Sequence, residues 1–196
     1  LVDVFFVGHI GVDAVATVGL TEGVMTLVYS IAWGLGAGVT AVVARRIGEK
    51  DRDGADVSEV QGILIALAVG SCIAVPGILF APRILSLMGA SSSVLATGTS
   101  FTRIMLGSNV VILLLFSINA IFRGAGNAAL AMRSLWLANI INIVLDPLLI
   151  FGWGPFPAMG ITGAAVATTI GRGCGVLYQC YHLFDGRGQV MIARRH

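Results

Sequence analysis

Charge is what this sequence has least of: Asp, Glu, Lys and Arg make up 11% of its 196 residues, where ordinary soluble domains carry roughly 25%. With 57% hydrophobic residues and a mean hydropathy of +0.93, there is too little polar surface to cover a soluble core. Cysteine is scarce too. Cys72, Cys174 and Cys180 are odd in number and lie inside apolar segments, a spacing that fits neither a disulfide framework nor a metal site and leaves them as small packing residues. No basic patch with interleaved aromatics is present, which argues against nucleic acid as a partner. There is no His/Ser or zinc-ligand constellation either, so nothing marks an enzyme and no cofactor is expected. No signal peptide precedes the apolar stretch from Leu1 to Val7, and the simplest expectation is a first helix that lacks its N-terminal half. The 196 residues contain no internal repeat.

What is there instead is apolar sequence in long runs. After the first stretch come five segments, near Val15–Val43, Val60–Phe80, Phe101–Phe122, Leu130–Phe151 and Ile161–Phe184. Runs of about 18 residues or more suggest membrane spans. In hydrocarbon an unpaired backbone amide is prohibitively costly, so spans form as helices or as closed barrels. These runs are too long, and alternate too little, for barrel strands. The breaks between them are turn-rich or charged: Gly8–Gly11, Gly48–Gly54, Gly89–Ser93, Arg123–Asn127 and Gly152–Pro157. The predicted fold is an all-α, multi-pass membrane protein, a six-helix transmembrane bundle whose first helix is truncated, forming a single unit over residues 1–196.

Basic residues orient it. Arg45, Arg46, Lys50, Arg52, Arg123, Arg133, Arg187, Arg194 and Arg195 fall on one side of the membrane, and only Arg83 on the other, with Arg103 and Arg172 inside spans. The rich side is cytoplasmic by the positive-inside rule. Six crossings return the chain to the side on which the first began, so a second copy joined behind would have the same orientation and form a parallel repeat. Gly19/Gly23, Gly34/Gly38 and Gly171/Gly175 are small-xxx-small pairs, suited to close helix contact.

The polar residues inside the spans carry the chemistry. A charge deep in the bilayer is costly and functional by default, and Asp3 and Asp146 qualify. Asn142 and Asn139 precede Asp146 by four and seven residues, which puts all three on one helix face. Pro147 follows and lacks an N–H, so the carbonyl of Ile143 loses its helical donor. Carboxylate, amide oxygen and freed carbonyl form a set of hard oxygen ligands for a proton or a small cation such as sodium. Asp3 and Asp146 each lie five residues below an outer break, and Thr168 lies seven below Ile161; at 1.5 Å per residue the three helices present oxygens at depths of roughly 7–11 Å. The plainer reading is that these groups only glue helices together. Arg172, one turn below Thr168, either pairs with Asp146 or Asp3, or snorkels or lines a cavity. Arg103 and Glu22 read as interfacial, Glu59 as the cytoplasmic end of its helix, and Trp153 as a membrane-belt anchor.

At these residues the sequence resembles the multidrug and toxic compound extrusion (MATE) transporters. The matching stretches are Val2-Asp3-Val4-Phe5-Phe6-Val7-Gly8-His9-Ile10-Gly11 and Gly34-Leu35-Gly36-Ala37-Gly38 running to Arg45-Arg46-Ile47-Gly48-Glu49-Lys50-Asp51. They continue with Phe122-Arg123-Gly124-Ala125-Gly126-Asn127, Asn142-Ile143-Val144-Leu145-Asp146-Pro147 and Gly160-Ile161-Thr162-Gly163-Ala164-Ala165-Val166-Ala167-Thr168. The resemblance implies the N-terminal lobe of a twelve-helix, two-lobe antiporter. It would lie in the cell's inner membrane, in contact with lipid, and export drugs or toxic amphipathic, often cationic, compounds against proton or sodium entry. It implies a cation site at Asp3, Asn142, Asp146 and Thr168 with the backbone carbonyl of Ala164, modulated by Arg172 and Asn139. The second six-helix lobe would be an obligatory partner. Arg172 beside the site leaves the coupling ion open between H+ and Na+. A lipid-linked-sugar flippase of a related family is the alternative within transport; outside it stand an intramembrane hydrolase with Asp3 and Asp146 as a dyad, which lacks a glycine-flanked catalytic aspartate, and a bundle with no ion site.

Overall fold

A computed structural model of the chain describes residues 2–153 and 157–184, with side chains from residue 5 onward. Outside the described residues fall Pro155, the basic residues Arg187, Arg194 and Arg195 counted above, and the side chain of Asp3.

The elements are α1 (Val2–Gly8), α2 (Val12–Gly48), α3 (Arg52–Leu87), α4 (Ser92–Gly107), α5 (Asn109–Gly124), α6 (Ala128–Phe151) and α7 (Ile161–Phe184). α4 and α5 continue as one 33-residue apolar rod, Ser92–Gly124, interrupted at Ser108, so the seven helices make six rods. Four of these, α2, α3, α4/α5 and α6, are both long and apolar enough to cross a membrane. α7 equals α6 in length at 24 residues, and its apolarity is diluted by inward-facing Thr168, Gly171, Gly175 and Gln179, all buried. The fold is the all-α membrane bundle expected.

The rods outrun the expected spans. α2 starts at Val12 and ends at Gly48, not Val15 and Val43; α3 runs from Arg52 to Leu87, not Val60 to Phe80; the next begins at Ser92 instead of Phe101. A 37-residue helix such as α2 is about 55 Å long, against a hydrocarbon core of about 30 Å. Hydropathy registers only the hydrocarbon portion, whereas capping decides where a helix stops. Asp51 accepts a hydrogen bond from the Gly54 amide at 3.0 Å, and Asn127 accepts one from Leu130 at 3.3 Å, so polar side chains start α3 and α6. α6 ends at Gly152, left-handed at φ 71° with Ala158 against it, so that an added Cβ would lie 2.6 Å from the Ala158 nitrogen; only glycine fits.

Packing divides into two main cores at opposite ends. Val7, Met25, Phe101, Met105, Ile112 and Ile161 cluster towards the end that holds the α1–α2 turn, and Val43, Ile121, Phe122, Ala131 and Leu183 towards the end that holds the α2–α3 turn. Outward-facing Leu27, Leu64, Leu79, Trp136 and Leu177 are each more than half exposed, as lipid-facing positions must be. Pro76, Pro82 and Pro147 sit inside helices, which membrane helices tolerate when neighbours re-satisfy the backbone.

The glycine pairs divide. An added Cβ at Gly171 would stand 2.6 Å from the Ala138 carbonyl oxygen, and one at Gly175 3.2 Å from the Ala138 Cβ, so this pair seats α7 against α6. Gly19, Gly34 and Gly38 meet nothing within 4 Å. Gly23 meets only the end of the Met88 side chain, at 3.3 Å, so the α2 pairs leave a largely bare face on α2.

Candidate functional site

α6 and α7 make the most extensive helix contact in the molecule, because Gly163, Gly171 and Gly175 strip side chains from the interface. Backbone proximity then lets short polar side chains reach across. Asn142 on α6 donates from Nδ2 to Asp146 Oδ1 at 3.3 Å, one turn further along the same helix. The same amide donates to Thr168 Oγ1 on α7 at 3.1 Å. Asp146 is fully buried, at 0% exposure, so its carboxylate sits away from water with an amide donor fixed beside it.

These residues back onto a cavity of about 580 Å³, within the range of small-molecule sites. Its walls come from α1 (Val7), α2 (Val18, Glu22, Tyr29), α4 (Phe101, Met105), α6 (Asn139, Asn142, Ile143) and α7 (Ala164, Thr168, Arg172). Asn142 and Thr168 thus belong both to the hydrogen-bonded trio and to the wall. Ile143 lines the cavity, and with proline at 147 its carbonyl has no helical N–H to accept. Ala164 lines it beside Thr168 and is 2% exposed.

Of the residues singled out in the sequence, Asn139, Asn142, Asp146, Ala164, Thr168 and Arg172 are brought to this one region of α6 and α7. Asp3 lies in α1, one turn before the cavity-lining Val7; its side chain is outside the described residues. Arg172 lines the cavity: Nη2 donates to Tyr29 Oη at 2.9 Å, and Cζ stands 5.8 Å from the Tyr29 ring centroid; the expected alternative of a pair with Asp3 lies outside the described residues. The ion pairs among the described residues are Arg45–Glu49 and Arg46–Asp51, both near the α2–α3 turn.

Two wall residues differ from the sequence reading. Glu22, expected at the interface, lines the cavity, and Tyr29 was not singled out at all. The signal was present in spacing: Val18, Glu22, Met25 and Tyr29 recur at four, three and four residues, a single helix face. Arg103, by contrast, is exposed and not part of the wall.

Residues 1–148 match the family described as MatE. The chain is 34% identical over 168 residues to a protein of Shewanella oneidensis described as an FAD transporter, covering 86% of this chain and 37% of that protein. It is 32% identical to the probable multidrug resistance protein YoeA of Bacillus subtilis, over 87% of this chain and 37% of that one. A third relative is the probable multidrug resistance protein NorM of Thermotoga maritima, 28% identical over 90% of this chain and 39% of its own length. The chain therefore spans under two fifths of each of these relatives. Among solved structures it superposes on the inward-facing conformation of a multidrug resistance MATE family transporter with a TM-score of 0.91 and 32% identity, covering 98% of this chain and 43% of that one. On an outward-facing conformation the TM-score is 0.89, at 32% identity, covering 98% and 42%. α7 lies beyond the family match but within these superpositions.

Proposed function

The chain belongs to the MatE family, and on that premise we propose that it works as the N-terminal lobe of a cation-coupled antiporter that exports amphipathic organic compounds across the cell's inner membrane. The observation that carries this is the buried Asp146 held by Asn142, which in turn holds Thr168 on the wall of a 580 Å³ cavity. A carboxylate in that setting gains from a bound proton or a small cation, because its charge is otherwise kept from water. The hard oxygens at hand are those of Asp146, Thr168, the Asn142 amide and the Ile143 carbonyl, with Asp3 as the candidate from α1.

Loading this site cancels negative charge between α1, α6 and α7 and lets the three pack more closely, which reshapes the adjoining cavity and expels its contents. The transmembrane potential supplies about 2.3 kcal/mol per unit charge per 100 mV. Two further features support a second lobe as partner. The outer face of α2, with exposed Gly19, Gly34 and Gly38 and with Thr26 and Ser30 hydrogen-bonded back to their own helix, suits a protein surface or water better than acyl chains. The near-equal fit to inward- and outward-facing structures suits a lobe that moves as a unit. The relatives are described as multidrug resistance proteins and an FAD transporter, and carriage of organic small molecules is common to those descriptions.

The test is efflux of a fluorescent amphipathic dye from proteoliposomes holding the two-lobe transporter, driven by an imposed proton or sodium gradient. Asp146→Asn is expected to lower gradient-driven efflux at least tenfold. Full coupled efflux by that variant would show that the carboxylate is not the coupling site.

A further inference from the structure

Arg172 is the described basic residue on the cavity wall, and its surroundings do not account for its charge. It lies eleven residues into α7, about 16 Å along the helix and so near the middle of a bilayer. A guanidinium kept there needs compensation, and a neutral phenol supplies one acceptor but no charge. Nη2 is bonded to Tyr29 Oη at 2.9 Å; Nη1 is buried and has no hydrogen-bond partner. Arg45–Glu49 and Arg46–Asp51 pair at the α2–α3 turn, away from Arg172.

The acidic side chains described near the cavity are placed elsewhere. Glu22 is on α2, seven residues before Tyr29, about 10 Å along that helix. Asp146 is bonded to Asn142, which separates it from the cavity beside Thr168. The cavity thus carries a positive charge where Arg172 meets Tyr29. A guanidinium presents a planar fork of donors that matches carboxylate and phosphate oxygens. Tyr29 lies against it, and Phe101, whose neighbour Thr102 is hydrogen-bonded to Thr21, carries the aromatic wall on along the cavity towards Glu22.

Resting on the exporter reading above and specifying its substrate, we propose that this cavity takes an aromatic, water-soluble compound bearing a phosphate or carboxylate, with the anionic oxygens on Arg172 and the ring system along Tyr29 and Phe101. Tyr29 is a positioning residue in this arrangement: its hydroxyl holds Nη2 at 2.9 Å and fixes the guanidinium on the cavity wall.

The experiment uses the two-lobe transporter in phosphatidylcholine nanodiscs and measures binding of 1-naphthyl phosphate, 1-naphthol and ethidium by fluorescence titration. Wild type is expected to bind 1-naphthyl phosphate about tenfold or more tightly than 1-naphthol, the scale of one charge-assisted hydrogen bond. Arg172→Gln should erase that preference and strengthen ethidium binding, and Arg172→Lys should restore part of it. Equal binding of the two naphthyl compounds by wild type, or a uniform loss for all three ligands in Arg172→Gln, overturns the proposal. Phosphatidylglycerol added to the nanodiscs should leave 1-naphthyl phosphate binding intact; displacement by it would assign Arg172 to a lipid headgroup and overturn the proposal too. Gradient-driven ethidium efflux measured alongside separates the two readings: efflux with no anion preference refutes the substrate class alone, whereas no coupled efflux of any dye refutes the exporter reading.

Discussion

The amide of Asn142 is shared between the Asp146 carboxylate on its own helix, at 3.3 Å, and the Thr168 hydroxyl on the next, at 3.1 Å. One side chain thereby ties a buried charge to the helix across from it. Two consequences follow for the intact transporter in detergent. If the trio binds a coupling cation, sodium or acid raises its melting temperature, and Asp146→Ala removes that rise. Asn142→Ala leaves two buried groups short of a donor and is expected to cost about 1–3 kcal/mol, read from the same melting curves. An ion response unchanged in Asp146→Ala would leave the trio as structural glue.

Glycine positions should separate sharply. Gly171→Ala forces a methyl to 2.6 Å from the Ala138 carbonyl oxygen, an overpacking that costs about 1–3 kcal/mol. Gly34→Ala meets nothing within 4 Å and is expected to be neutral or slightly stabilising through helix propensity, by up to about 1 kcal/mol. Thermal unfolding of the two variants side by side checks the contrast. Equal effects would mean that α7 does not rest on α6 at Gly171.

A second polar knot closes the bundle towards the end that holds the α2–α3 turn. Gln179 Nε2 lies 2.7 Å from Asn119 Oδ1 and 2.8 Å from Ser134 Oγ, joining α7 to α5 and α6 with all three residues 2% exposed or less. Hydrogen bonds between membrane helices are worth about 0.6 kcal/mol on average and up to about 2. Gln179→Leu, which removes two at once and leaves Asn119 Oδ1 only the Ser134 hydroxyl at 3.1 Å, should lower stability by about 1–2 kcal/mol. Gln179→Glu is expected to be worse, since it replaces the donor with a buried charge. Melting of both variants, with ligand binding as a check on folding, tests the order.

Asp51 is the most economical test of how α3 begins. It caps the helix through the Gly54 amide and also holds Arg46 Nη1 at 2.9 Å. Asp51→Ala should cost about 1 kcal/mol through the lost cap, whereas Asp51→Asn keeps most of it, because the exposed ion pair contributes little. Hydrogen exchange at the first amides of α3 would report the difference directly; equally fast exchange in the two variants would assign the effect to the ion pair.

Composition and the run lengths of apolar sequence were enough to define an all-α membrane bundle, its six rods in order and the breaks between them, because a membrane admits so few backbone solutions. The i, i+4 spacing of Asn142 and Asp146 was equally legible, since a helix puts such residues on one face whatever surrounds it. Which groups meet across helices was not. That Asn142 reaches Thr168, that Arg172 turns to Tyr29 and not to a carboxylate, that Glu22 faces a cavity, and that Glu59 is 1% exposed all depend on how each rod is rotated and how near it comes to its neighbours. Gly171 and Gly34 look alike in sequence, yet one is pressed against a carbonyl and the other is bare. Local spacing determines the faces of a helix, and only the packed bundle decides what each face meets.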